Sequence, residues 1–160
     1  MESKKLKVGS GKWRVIFSSL INKMTVEINK QGFNVDDNIV QVAIQQTLQE
    51  LQNLGKLVPG QEVQISVVVV GRKEIKELNK KWRNKDEETD VLSFCYEKSA
   101  EKLEGEVVLC LEVIADNAKE DGIEMKKELR KNVIHSVLHI IGYEHGEEMF
   151  GLQKRILDEE

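Results

Sequence analysis

The chain holds three histidines in 160 residues. All of them lie between His135 and His145, spaced as H-x-x-x-H-x-x-x-x-x-H. At 3.6 residues per helical turn, His135 and His139 fall one turn apart on the same face. Gly142 then supplies a helix stop, because glycine takes the left-handed conformation at least cost. His145 follows three residues later and can swing back beneath the two helical rings. Three neutral imidazoles that converge and leave a fourth position open meet the requirements of a catalytic zinc site. A pair at i and i+4 is common on helices that bind nothing. The third histidine, with glycine between, makes metal binding the favoured reading over ordinary helix-end and loop histidines. The spacing matches the zinc-peptidase pattern H-E-x-x-H-x-x-G-x-x-H, but Ser136 stands where that pattern has glutamate. The glutamate is the peptidase's general base, a role worth roughly 10²–10⁴ in rate, so peptide hydrolysis is disfavoured.

The elements that must position this trio read as one α+β domain, a mixed sheet of about four strands with helices around it. A long helix from about Ile123 to Ile141 carries His135 and His139. Its last turns are apolar nearly all round, the mark of a helix buried mid-domain. Residues 147–157 place Met149, Leu152 and Ile156 on one stripe that packs back onto the core. Met24–Asn29 and Val63–Val69 alternate as strands, the second with the valine run of a strand covered on both faces. Asp36 or Asp37 can cap a helix that ends at Gly55. Gly71 opens a short helix with Ile75, Leu78 and Trp82 inward. Asn84–Glu88 reads as a polar loop, Val91–Tyr96 and Glu106–Leu111 as strands, Glu97–Glu104 as a charged connection, and Glu112–Asp121 as a helix. Met1–Lys12 reads as a loose tail, and 13–21 is ambiguous between strand and helix.

A composition of 40% apolar and 32% charged residues is that of a globular protein with a core of its own. The apolar runs are too short to span a bilayer, and the lysine-rich start lacks a signal-peptide pattern, so a cytoplasmic location is expected. Cys95 and Cys110 fall in strand-like runs and read as buried free thiols. A net charge of −4 does not announce nucleic-acid binding. Between 72 and 85, however, seven basic residues oppose only Glu74 and Glu77. Such a cluster can follow a phosphate backbone, or can simply be a solvated helix face.

Three blocks together resemble the YbeY family of bacterial rRNA maturation endoribonucleases. Glu77-Leu78-Asn79 followed by Trp82-Arg83 is similar to the family's E-L-N-x-x-[YFW]-R. Thr89-Asp90-Val91-Leu92-Ser93-Phe94 is similar to T-D-V-L-S-F, and the histidine block to H-G-x-L-H-x-x-G-Y-D-H. Ser136 replaces the family's glycine, Glu144 its aspartate and Cys95 its usual proline. The resemblance implies a single-strand-specific, zinc-dependent endoribonuclease acting in 3′-end maturation of small-subunit (16S) rRNA and in ribosome quality control. It implies His135, His139 and His145 as ligands of one zinc ion, with Arg83 and His135 needed for activity, and single-stranded rRNA and the small ribosomal subunit as partners. Met24 resembles the usual start of such proteins, which makes 24–160 the nuclease domain and 1–23 an extension, poorly ordered on this reading. Thr89 and Asp90 read as a turn entering a strand. Glu144 should point away from the ion, and no residue announces itself as general base. Water and the RNA's own 2′-hydroxyl both stay open as nucleophile. A non-catalytic zinc-holding assembly factor and, less favoured, a zinc peptidase are the alternatives.

Overall fold

The computed structural model describes residues 2–9, 11–18 and 22–158. Six strands form one mixed sheet: β1 (Glu2–Lys7), β2 (Lys12–Ser18), β3 (Lys23–Asn29), β4 (Glu62–Val69), β5 (Val91–Lys98) and β6 (Lys102–Leu109), in the order β1-β2-β3-β4-β6-β5. The central pairs β3/β4 and β4/β6 are parallel, and the outer pairs antiparallel. Five helices complete it: α1 (Asp37–Asn53), α2 (Arg72–Arg83), α3 (Leu111–Asp121), α4 (Met125–Ile141) and α5 (Glu147–Asp158).

Two strands exceed the expected count of about four. They are β1 and β2, formed by the stretch that reads as a loose tail and by the ambiguous one after it. Residues 1, 10 and 19–21 of those stretches lie outside the described residues. Lys4, Lys5, Leu6 and Lys7 are exposed, so β1 shows no alternation of burial for a sequence pattern to reveal. Three lysines on a sheet edge also deter pairing with another edge. The charged connection is likewise a hairpin: β5 runs on to Lys98 and β6 begins at Lys102.

One face of the sheet carries the core. Met24, Val26 and Ile28 of β3, Val63, Ile65 and Val67 of β4, and Leu103, Val107 and Leu109 of β6 pack in a single cluster with α1, α4 and α5. The other face is only partly covered, by α2 through Ile75 and Leu78. The strand expected to be buried on both sides, β4, therefore alternates between buried and half-buried residues.

α4 sits at the centre, packed against α1, α3, α5, β5 and β6. Leu129, Val133, Ile134, Val137, Leu138, Ile140 and Ile141 are all buried, and each such side chain contributes about 1.5–3 kcal/mol. A helix held this way is a rigid base for ligands. Its approach to β6 is so close that a Cβ on Gly105 would stand 2.5 Å from Ile140 Cγ2 and 2.9 Å from the Phe94 carbonyl oxygen. Gly105→Ala must displace one of them, so thermal unfolding should show a loss of about 1–3 kcal/mol, the usual penalty for overpacking.

Candidate metal centre

Gly142 ends α4 with φ +111°, a conformation that favours glycine. Its N–H donates to the His139 carbonyl, and that of Tyr143 to the Leu138 carbonyl. The turn sends the chain back across the end of the helix, and His145 arrives opposite the two helical rings. The three Nε2 atoms form a nearly equilateral triangle: His135 to His139 is 3.0 Å, and each is 3.1 Å from His145. These three are the residues that could hold a metal ion among those described.

The protons show what the triangle needs. A carbonyl oxygen only accepts, so His139 Nδ1 is protonated and donates to the Tyr143 carbonyl at 2.9 Å. His135 Nδ1 donates to Gln153 Oε1 at 2.8 Å. In a neutral imidazole the other nitrogen is then bare. Burial pushes both pKa values down, helped for His139 by the neighbouring His135 and for His135 by His145, which favours the neutral rings. Two lone pairs therefore face each other at 3.0 Å, and a proton on His145 Nε2 could satisfy only one of them. A cation among the three turns this repulsion into attraction. The centre of such a triangle lies about 1.8 Å from each nitrogen, close to the roughly 2.0–2.1 Å of a zinc–imidazole bond, so the three residues fit such an ion.

The trio opens into a cavity of about 640 Å³, whose wall also includes Trp82, Arg83, Thr89, Asp90, Phe94, Glu128, Lys131, Asn132 and Gln153. Arg83 is the last residue of α2. Asn84 follows in the left-handed conformation, φ 56°, and buried Asn79 pins the loop beyond by donating to the Glu87 carbonyl at 2.9 Å. Arg83 has no acidic partner among the described residues, unlike Arg72, which is tied to Glu88 and Asp116. A guanidinium left free at the rim of a metal-ready cavity suits an anionic group in transit.

The family model described as Endoribonuclease YbeY matches residues 25–160. An endoribonuclease YbeY of Staphylococcus carnosus is 33% identical over 147 residues, covering 84% of this chain and 90% of that protein. One of Thermotoga petrophila is 39% identical over 104 residues, 61% of this chain and 68% of that protein. A solution structure of a Thermotoga maritima protein superposes with a TM-score of 0.56 at 30% identity, over 83% of this chain and 87% of that one. The chain belongs to the endoribonuclease YbeY family.

The three blocks that resemble YbeY proteins thus meet at one place. The histidine block provides the triangle, the block at 77–83 brings Arg83 to the rim, and the block at 89–94 forms the cavity wall on β5. Thr89 and Asp90 hold one another at 3.3 Å, and Asn117 donates to Asp90 at 3.2 Å, so the turn is built as a structural one. Glu144 is exposed and absent from the cavity wall. The Ser136 hydroxyl is fully buried and meets no partner, so it offers nothing in the glutamate's place.

Two expectations give way. Trp82 does not face inward: it is 59% exposed, its ring meeting that of Phe94 edge to face at the rim of the cavity. Cys95 is exposed rather than buried, while Cys110 is buried, and both thiols are free.

Gln153 escapes a reading of the sequence. It lies on α5, which Arg130 of α4 ties down by donating to the Ile156 and Leu157 carbonyls at 2.8 Å. Only the folded chain brings it to His135. Partners that fix a ligand's tautomer typically contribute about 10–100-fold in metal affinity, so Gln153→Leu should raise the dissociation constant for zinc by that factor in a chelator competition, with the melting temperature of the metal-free protein little changed.

Proposed function

We propose that this protein is a zinc-dependent endoribonuclease that cuts single-stranded RNA, acting in the cytoplasm on small-subunit rRNA during 3′-end maturation and ribosome quality control. The supporting observation is the triangle of imidazole Nε2 atoms 3.0–3.1 Å apart, lining a cavity rimmed by an arginine with no acidic partner among the described residues. On this reading His135, His139 and His145 hold one zinc ion. When bound, the ion supplies Lewis acidity for a phosphoryl oxygen and lowers the pKa of water towards about 7. Residues 24–160 are the catalytic unit, and 1–23 are an extension whose described strands β1 and β2 widen the sheet.

The chain's own groups divide the remaining work. Arg83 donates to the non-bridging phosphate oxygens and offsets the charge that builds on them. Gln153 and the Tyr143 carbonyl hold the two helical rings in the tautomer that presents Nε2. Lys131 and Glu128, ion-paired at 2.7 Å, form a locally neutral part of the same wall. The scissile phosphate is held between Arg83 and the histidines, and its position follows from these fixed points.

A purely structural ion is disfavoured. Structural zinc sites are closed by four protein ligands, whereas three converge here among the described residues. The core that holds α4 is extensive and apolar without the ion. The test is cleavage of a single-stranded rRNA fragment against the same sequence annealed to its complement, with and without a chelator. Cutting should be confined to the single strand and abolished by chelation. Cleavage that survives complete removal of metal would contradict the proposal, as would chelation that unfolds the protein.

A further inference from the structure

Three aromatic rings form a row that starts in the cavity wall and leaves it. Trp82 and Phe94 line the same cavity as the histidines, and Tyr96 continues the row along β5. The Trp82 and Phe94 centroids are 6.1 Å apart, edge to face. Those of Phe94 and Tyr96 are 6.5 Å apart with planes 4° from parallel. Large aromatic side chains normally bury their faces, yet Trp82 and Tyr96 are 59% and 60% exposed. The rings are not loose: the Tyr96 hydroxyl donates to Glu106 Oε1 at 2.9 Å, and Trp82 packs on Phe94. β5 is an edge strand, and Tyr96 and Trp82 stay exposed on the sheet face at that edge.

We propose that Trp82, Phe94 and Tyr96 are a stacking platform for unpaired bases of the RNA strand whose phosphate enters the histidine cavity. The inference rests on the nuclease reading above and adds to it the device that selects a single strand. Aromatic rows beside a positive groove bind single strands because every base offers a π face, whatever its identity. In a duplex those faces are already stacked, and the bases cannot splay onto a protein ring. The charge along the row argues for nucleic acid over a protein surface. Lys81 Nζ lies 4.8 Å over the Trp82 ring, Arg83 adjoins it, and Lys81, Arg83 and Lys85 have no acidic partner among the described residues. At the outer end the Glu106 carboxylate takes hydrogen bonds from Tyr96 and Ser66. Contact there is with bases rather than with phosphates, which the carboxylate would repel. Phosphate recognition at the cavity thus gives way to base stacking outside it, and the enzyme reads strandedness without reading sequence.

The test is binding of a short labelled oligoadenylate with phosphorothioate linkages that resist cutting, measured by fluorescence anisotropy on the zinc-loaded full chain. Trp82→Ala and Tyr96→Ala should each weaken binding about ten-fold, with Tyr96→Phe restoring it to within about two-fold, as expected of a ring that stacks. Zinc content and thermal stability should match the wild type in all three variants. An oligomer of abasic riboses should bind the wild type no better than oligoadenylate binds Tyr96→Ala. If the alanine variants hold oligoadenylate as tightly as the wild type, or the abasic strand binds as well as the intact one, the row serves a protein partner or nothing, and the proposal is overturned. A wild type that binds through these rings but cuts no RNA would sink the nuclease reading alone. Zinc-dependent cutting with ring variants that bind normally would sink the platform alone.

Discussion

His139→Ala should leave a folded protein that retains no zinc and cuts no RNA. The ring is one corner of the triangle, tied through Nδ1 to the Tyr143 carbonyl and 3.0–3.1 Å from both other nitrogens. Its removal leaves two ligands. The loss of affinity should exceed the about 10–100-fold that changes outside the ligand shell produce. Folding should survive, because His139 is half-buried at the edge of a core whose cohesion comes from apolar packing on α4. Metal analysis of the dialysed protein, circular dichroism and an RNA cleavage assay separate the outcomes. Normal secondary structure with neither metal nor activity is the expected result. Zinc retained at wild-type stoichiometry would show that the ion sits elsewhere.

Arg83→Ala should do the converse, keeping zinc at one equivalent while lowering cleavage about 10²–10³-fold, the typical effect of deleting one donor aimed at developing charge. Arg83 is exposed, ends α2 and carries no ion pair among the described residues, so the loss cannot come from a broken structural contact. Its charge also acts on the triangle, being one of the influences that lower the His139 pKa. Arg83→Lys is the sharper comparison. It retains the charge but not the planar fork, so recovery of only part of the activity would assign the remainder to bidentate geometry. An Arg83→Ala enzyme that processes RNA at the wild-type rate would remove the arginine from the mechanism.

The converging histidine trio is legible because its spacing is written in local geometry: one helical turn, then a glycine bend. The buried helix beneath it is equally plain, since apolar residues on every side leave few alternatives. What escaped depended on where elements end in space. The stripe Ile75, Leu78, Trp82 has helical spacing, but α2 meets the sheet at its edge strand β5, and its last turn finds only the Phe94 ring to pack on. That position exposes Trp82 and delivers Arg83 to the cavity. β1 is hidden for a related reason, as a lysine-rich strand at a sheet edge needs little burial and shows no alternation, while the largely apolar run of β2 fits a short strand or a helix equally well until β3 pairs with it. Gln153 and Asn79 are ordinary polar residues until the fold places one against His135 and the other beneath the loop after Arg83.

The central claim, that three imidazoles grip one ion and that cleavage requires it, is most directly tested by adding zinc back to chelated protein while following RNA cleavage. Activity should rise in proportion to zinc and level off at one equivalent per chain, with no rise for His135→Ala. Full activity before any zinc is added, or a plateau at a different ratio, would contradict it.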